Sequence, residues 1–270
     1  MIRDPLLMRV RLSHIVITSG IIGIVYFNTK LRAATILTHR GILFNAARDM
    51  NFMFMMPSVA VFTDELPLLV RENHANIYRV DAYFLAKNIA ELPQYVVLPV
   101  LYSTIVFFAT QVMQENWLVQ FPVFTLICIV MANMALSIGY AAACIFGSTS
   151  LAIQTLPLFA IPMMVYGGFF INLDYIPVYL KPFSYLSWYK YTMEAHMINM
   201  WTNVGHIQDC GGPGQLPTCA ENGKLILKMN GFQTEYMYCF INIGILIIMS
   251  LIYRLLAMLG LFVRTRIRRV

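Results

Sequence analysis

Charged residues are scarce in this chain. Only 12% of its 270 residues are Asp, Glu, Lys or Arg, whereas 59% are hydrophobic and the mean hydropathy is +0.66. A soluble domain carries about 25% charged residues. The composition therefore excludes an ordinary water-soluble protein.

The sequence also lacks the motifs that catalysis needs. It has no G-x-x-x-x-G-K-[ST] loop to hold the phosphates of ATP, no Ser-His-Asp or H-E-x-x-H arrangement and no four-ligand zinc cluster. The five histidines lie far apart in the sequence: His14, His39, His74, His196 and His206. We expect no catalytic site and no metal site in these residues.

The apolar residues are gathered in runs of about 17–30 residues, which is the length that crosses about 30 Å of hydrocarbon as a helix. A backbone in lipid must pair its own polar groups, so the runs are expected to be helices. We predict an all-α integral membrane protein with an interfacial connecting helix at 1–11. Six transmembrane helices follow, at about 12–28, 41–63, 82–110, 118–147, 151–171 and 236–263.

Arginines cluster at both ends of the chain, at Arg3, Arg9, Arg11, Arg264, Arg266, Arg268 and Arg269. Six spans place both ends on one side of the membrane, and the positive-inside rule makes that side cytosolic. Lys30, Arg32 and Arg40 run against this pattern. The net charge of +6 is thus explained without a nucleic acid partner.

This topology leaves one long outer loop, 172–235. Cys210 and Cys219 lie in it, and an oxidising compartment favours a short disulfide between them, with free thiols or an intersubunit bridge as alternatives. The remaining cysteines, Cys128, Cys144 and Cys239, are expected in the core. The segment 176–199 predicts short helices dipping into the outer leaflet, with an interfacial belt of Tyr185, Trp188, Tyr189 and Tyr191.

Arg48 and Asp49 lie inside the second apolar run, where one charge costs from about 2.5 to more than 10 kcal/mol. Adjacent helical residues point about 100° apart, so we do not expect them simply to pair with each other. Three alternatives remain. Asp49 meets a substrate ammonium in a water-filled cavity; or both residues bond to other spans, for example to Glu91; or both snorkel to the outer interface.

Two long segments, "ELPLLVREN...IYRVDAYFLAKNIAELP" and "YGGFFINLDYIPVYLKPFSYLSWYKYTMEAHMINMW", resemble the ABCG (White) subfamily of ATP-binding cassette transporters. The resemblance covers nearly the whole chain, and within the subfamily it points to the insect eye-pigment half-transporters White, Scarlet and Brown. It implies the membrane half of a transporter that works as a homodimer or heterodimer. ATP and Mg would be bound by a nucleotide-binding domain that these residues do not contain.

The resemblance also assigns roles to residues. A coupling helix to the ATPase domain falls at 65–77, with matching positions at Glu65, Arg71, Glu72, Tyr78 and Arg79. The second and fifth helices would line a substrate cavity with Asp49, Met50, Met53, Ile161 and Met164. A bulky pair after the paired glycines, Phe169 and Phe170, would form the gate or plug.

The implied substrates are small aromatic or amphipathic pigment precursors: tryptophan metabolites such as kynurenines, guanine or pterins. The implied location is the membrane of a pigment granule or related organelle, or the plasma membrane. A sterol or lipid exporter of the same subfamily, a non-transporting dimerisation partner and an ATP-independent channel are alternatives.

Overall fold

The computed structural model describes residues 5–111, 116–205, 207 and 222–267. Ten α-helices form over these ranges: α1 (Pro5–Val25), α2 (Ile36–His74), α3 (Val80–Glu91), α4 (Gln94–Thr110), α5 (Trp117–Phe146), α6 (Thr149–Val165), α7 (Lys181–Leu186), α8 (Trp188–Trp201), α9 (Gly223–Met229) and α10 (Met237–Ile267). Cys210 and Cys219 lie outside the described residues.

The prediction of an all-α membrane protein is confirmed. Five stretches are long and apolar enough to cross a bilayer: Met8–Val25, Ala33–His74, Val80–Thr110, Trp117–Phe146 and Met237–Thr265. The predicted fifth span corresponds to α6, which at 17 residues is apolar but shorter than the others.

Helix α5 is the centre of the bundle, packed between α2 and α10, whereas α1 packs mainly against α4. Small residues make the close α2–α5 contact possible. A Cβ at Gly139 would lie 1.9 Å from Ser58 Oγ and 2.7 Å from the Met55 carbonyl oxygen. The three cysteines of the spans, Cys128, Cys144 and Cys239, are buried as expected.

Two expected helices are continuous with spans rather than separate. The described part of 1–11 continues without a break into the first span as α1, and 65–74 is the last part of α2. Pro67 does not end α2, because Leu66, Leu69 and Val70 remain buried and hold this part against the bundle. The predicted third span, in contrast, divides at Leu92–Pro93 into α3 and α4.

The prediction of an interfacial belt within 176–199 is wrong for two of its residues. Trp188 and Tyr189 begin α8, a helix whose residues are nearly all buried, and both side chains are fully enclosed. The Trp188 indole Nε1 donates to Asn51 Oδ1 of α2 over 3.1 Å. An amphipathic ring suits an interface and a core equally well, so composition could not separate the two.

Candidate functional site

The two charges in α2 form one cluster with a tyrosine from α4. The Arg48 guanidinium donates from Nε and Nη2 to Asp49 Oδ1 over 3.1 and 2.9 Å, and Tyr102 OH donates to Asp49 Oδ2 over 2.9 Å. The expectation that Arg48 and Asp49 would not simply pair is therefore wrong. The long arginine side chain bends across the 100° between the two positions, and Tyr102 fixes the carboxylate from the neighbouring helix.

This geometry favours structural bonds for Asp49, with Tyr102 in place of the suggested Glu91. Both carboxylate oxygens of Asp49 are bonded, and its side chain is 8% exposed. The Arg48 side chain is 42% exposed. The accessible charge of the pair is consequently the guanidinium.

The predicted cavity residues do not share one surface. Met50 and Met53 are buried against the rest of the bundle, whereas Ile161 is exposed and Met164 is half-buried. The partly accessible residues of α2 lie one position before the predicted cavity residues Asp49 and Met53. Around the charged pair they form one face of α2, made of Asn45, Arg48, Phe52 and Met56.

The predicted gate lies in a turn after α6 rather than within a helix. Gly168 has a φ of +80°, a conformation that favours glycine, and an added Cβ would lie 2.6 Å from Phe232 Cζ. Gly168 thus serves a tight turn, whereas Gly167 allows the close approach of α8, since its added Cβ would lie 3.1 Å from Tyr189 Cβ. Phe169 stacks on Phe44 of α2 with ring centroids 4.3 Å apart, and Phe170 meets the same ring edge-on at 5.2 Å.

Arg40 of α2 holds this turn. Its Nη2 group donates to the Gly168 and Phe169 carbonyl oxygens over 2.8 and 3.0 Å, and its guanidinium carbon lies 5.6 Å from the centroid of the Phe169 ring. Beside Arg40 is a cavity of about 440 Å³ between the start of α2 and α9. The sequence placed Arg40 only as a charge near the outer end of a span.

The opposite end of α2 carries a second charged cluster. Lys87 of α3 donates to Glu65 Oε2 over 2.5 Å and lies 3.2 Å from Glu91 Oε1, and Tyr83 OH also donates to Glu65. The Lys87 side chain is only 6% exposed. A predicted coupling residue, Glu65, is thereby tied to a buried lysine of the next helix.

Glu91 extends this cluster across the bundle. Its Oε2 accepts hydrogen bonds from Tyr140 of α5 and, over 3.4 Å, from Tyr95 of α4. One connected set of polar side chains therefore joins α2, α3, α4 and α5. The Glu65 end of α2 is thus connected to the central helix α5 through Lys87, Glu91 and Tyr140.

The other predicted coupling residues lie on the surface. Tyr78 OH donates to Glu72 Oε2 over 2.5 Å; desolvation and this bond to a carboxylate raise the pKa of Tyr78 to about 12. Arg79 pairs with Asp81 at 2.9 Å. Arg71 is exposed, and within the described part of the chain its side chain has no bonded partner. The surface of this turn offers Arg71 and Arg79 as cations.

Four functional candidates were missed from the sequence: Arg40, Lys87, Tyr102 and Tyr140. Lys87 and Glu91 carried a usable signal, because ionisable residues four apart in a membrane helix lie on one face and mark a polar contact. The two tyrosines carried none, since their partners lie about 50 residues away. Among the described residues, no group of His, Cys, Asp and Glu side chains could hold a metal ion.

Comparisons with known proteins define the class. The family model described as "ABC-2 type transporter" matches residues 1–201. The chain therefore belongs to the ABC-2 type transporter family, as a helical membrane domain of the ABCG kind.

The relatives narrow this to the White group of half-transporters, as the resemblance implied. The chain is 44% identical to the ABC transporter ATP-binding protein/permease wht-1 of Caenorhabditis elegans over 98% of its length and 39% of the relative. It is 34% identical to Protein white of Drosophila melanogaster over 98% of its length and 38% of that protein. Against Protein scarlet of the same fly the identity is 24% over 88% of the chain and 35% of the relative. The chain thus spans about two fifths of the curated relatives it matches.

Proposed function

We propose that this chain is the membrane-spanning part of an ABCG-type half-transporter that moves small aromatic or amphipathic molecules. Alternating access would be driven by ATPase domains outside these residues, in a homodimer or a heterodimer with another half-transporter. The similarity to wht-1 and to Protein white supports this proposal. Pigment precursors such as kynurenines, guanine or pterins are the proposed substrates.

One observation carries the proposal. Helix α2 is continuous over 39 residues, about 58 Å at helical rise, and joins the gate to the coupling cluster. Arg40 near its first turn holds the Phe169 turn, and Glu65 near its last turns holds Lys87. A continuous helix that is bonded at both ends can transmit a displacement from a cytosolic ATPase to a gate on the opposite side.

The proposed cycle uses these contacts in order. The ATPase domain would press on 65–77, where Arg71 is accessible for contacts with acidic groups; Arg79, two residues beyond this segment, is accessible in the same way. The Glu65–Lys87–Glu91 cluster would carry that displacement to α5, while α2 would carry it to Arg40. Release of the Phe169 carbonyl would then open the way past Phe169 and Phe170.

The test uses the complete protein with its ATPase domains, co-expressed with candidate half-transporters, in sealed inside-out vesicles. We expect ATP-dependent uptake of radiolabelled kynurenine or guanine, and loss of uptake when the ATPase site is inactivated by substitution. Uptake that persists without ATP would indicate a channel. Loss of a partner's own transport on pairing would indicate a non-transporting dimerisation partner.

A further inference from the structure

We propose that Arg48, held by Asp49, binds the carboxylate of the transported molecule, so that the substrates are aromatic anions or zwitterions. This proposal rests on the proposed transport function and names its substrate class. It reverses the sequence-based expectation that Asp49 would bind a substrate ammonium group.

Asp49 and Arg48 differ in the hydrogen-bonding capacity that each has left for a ligand. Asp49 is buried, and its oxygens accept three hydrogen bonds, two from Arg48 and one from Tyr102. A carboxylate has about four acceptor positions, so little capacity remains for a ligand. Arg48 uses only the Nε–Nη2 edge of its guanidinium for Asp49. Within the described residues its Nη1 group has no hydrogen bond.

The free edge of Arg48 has the right shape for an anion. The Nη1 and Nη2 groups form a planar fork that matches the two oxygens of a carboxylate. Asp49 fixes the direction of this fork from one side, and Tyr102 of α4 fixes Asp49 in turn. The fork is therefore positioned before a ligand arrives, which lowers the entropy lost on binding.

The position of Arg48 along α2 and the direction of its side chain argue against a simple role at the interface. Arg48 lies about 18 Å along α2 from its first residue, well inside the apolar span Ala33–His74. Its head group is bonded sideways to Asp49 rather than extended toward a helix end. A half-exposed guanidinium at this depth is costly against lipid, so this face of α2 meets water, a ligand or a partner.

The neighbours on the same face suit an aromatic ligand. Asn45 lies one turn before Arg48, and within the described residues its amide is unbonded; Phe52 and Met56 follow on the other side. A ring can stack on Phe52 and contact the polarisable Met56 while its carboxylate meets Arg48.

The test compares two probes that differ by one group: L-kynurenine and kynurenamine, which lacks only the carboxylate. Uptake is measured in vesicles with the complete transporter carrying wild-type Arg48, Arg48→Gln or Arg48→Lys. Arg32→Gln is the matched control, since Arg32 is exposed and lies outside α2. Surface amount and dimer content are measured for every variant.

We expect Arg48→Gln to lower the kcat/KM for kynurenine about 10- to 100-fold, the scale of one lost hydrogen bond to a charged group. The kcat/KM of Arg48→Gln for kynurenamine should stay within about twofold of the wild-type value, because this probe has no carboxylate to bind Arg48. Arg48→Lys should be intermediate, because it keeps the charge but not the fork. Arg32→Gln should match the wild type for both probes.

Four results would overturn the assignment. An equal loss for both probes would make Arg48 structural, and loss of the dimer in Arg48→Gln would make it a contact between copies. Unchanged kynurenine uptake would remove it from the site. If the wild type takes up guanine with ATP but neither probe, the Arg48 assignment fails while the transport function stands; no ATP-dependent uptake of guanine or of either probe would refute the proposed transport function itself.

Discussion

Arg40 and Phe169 are 129 residues apart in the sequence, yet Arg40 Nη2 donates to the Phe169 carbonyl oxygen over 3.0 Å. The same nitrogen donates to the Gly168 carbonyl oxygen over 2.8 Å. One arginine near the start of α2 thus fixes the backbone of the turn that carries Phe169 and Phe170, the pair proposed as the gate.

Replacing Arg40 should loosen the gate. Arg40→Met removes both charge-assisted bonds to the turn, so we expect ATP-independent leakage of substrate from loaded vesicles to rise on the order of tenfold. Arg40→Lys should leak less than Arg40→Met, because an ammonium can bond one of the two carbonyl groups. Arg32→Met is the control for loss of a nearby positive charge. Equal leakage in all four proteins would remove Arg40 from the gate.

Removing only Lys87 from the buried Lys87–Glu91 pair should destabilise the protein more than removing both residues. Lys87→Met leaves Glu91 enclosed without its cation, which should cost about 3–5 kcal/mol of unfolding free energy. Lys87→Met with Glu91→Leu should recover most of this stability while ATP-driven uptake stays low. Unfolding is followed in detergent micelles.

The exposed Arg79–Asp81 pair is the control for the buried Lys87–Glu91 pair. Arg79 and its partner Asp81 are 84% and 40% exposed, so Arg79→Gln should change stability by less than about 0.5 kcal/mol. A double variant that regained full uptake along with stability would show that the Lys87 cluster has no part in coupling.

Gly139 should tolerate no side chain. Gly139→Ala places a Cβ 1.9 Å from Ser58 Oγ, and this overpacking should destabilise the α2–α5 contact by about 1–3 kcal/mol. Gly41→Ala is the matched control in α2, since nothing lies within 4 Å of its added Cβ. It should be neutral or stabilising by up to about 1 kcal/mol. The same loss in both variants would contradict the close helix contact.

His196 should make stability depend on acidity. Burial lowers the pKa of His196 from 6.5 to about 3, and among the described residues neither ring nitrogen has a partner. Between these pH values the unfolded chain binds a proton and the native protein does not. The unfolding free energy should therefore fall as the pH decreases below 6.5, by about 2 kcal/mol at pH 5.

The variant His196→Met should remove this part of the pH dependence. The thermal midpoint, read from tryptophan fluorescence at pH 7 and pH 5, should then differ less than in the wild type. His74→Met is the control, because His74 is exposed at the end of α2. If His196→Met retained the wild-type difference, the acid sensitivity would arise at another group.

The spans were predictable because their signal is local. A helix in lipid needs only its own run of apolar residues, so α4, α5 and α10 end within a few residues of the predicted bounds. Helix ends that depend on other elements were not predictable. The continuation of α2 to His74 requires the burial of Leu66 and Leu69 against the bundle, which no local pattern encodes.

The site residues likewise divide into features that the sequence predicted and features that depend on contacts between distant segments. The sequence alone determined that this is a helical membrane domain, that charges lie within its second span and that a glycine pair precedes two phenylalanines. Only the tertiary structure decided that Arg48 rather than Asp49 is accessible, that Trp188 is core and that Arg40 holds the Gly168–Phe169 turn. Each of these depends on a partner from a distant helix, and a hydrogen bond or an enclosed ring is a property of two segments together.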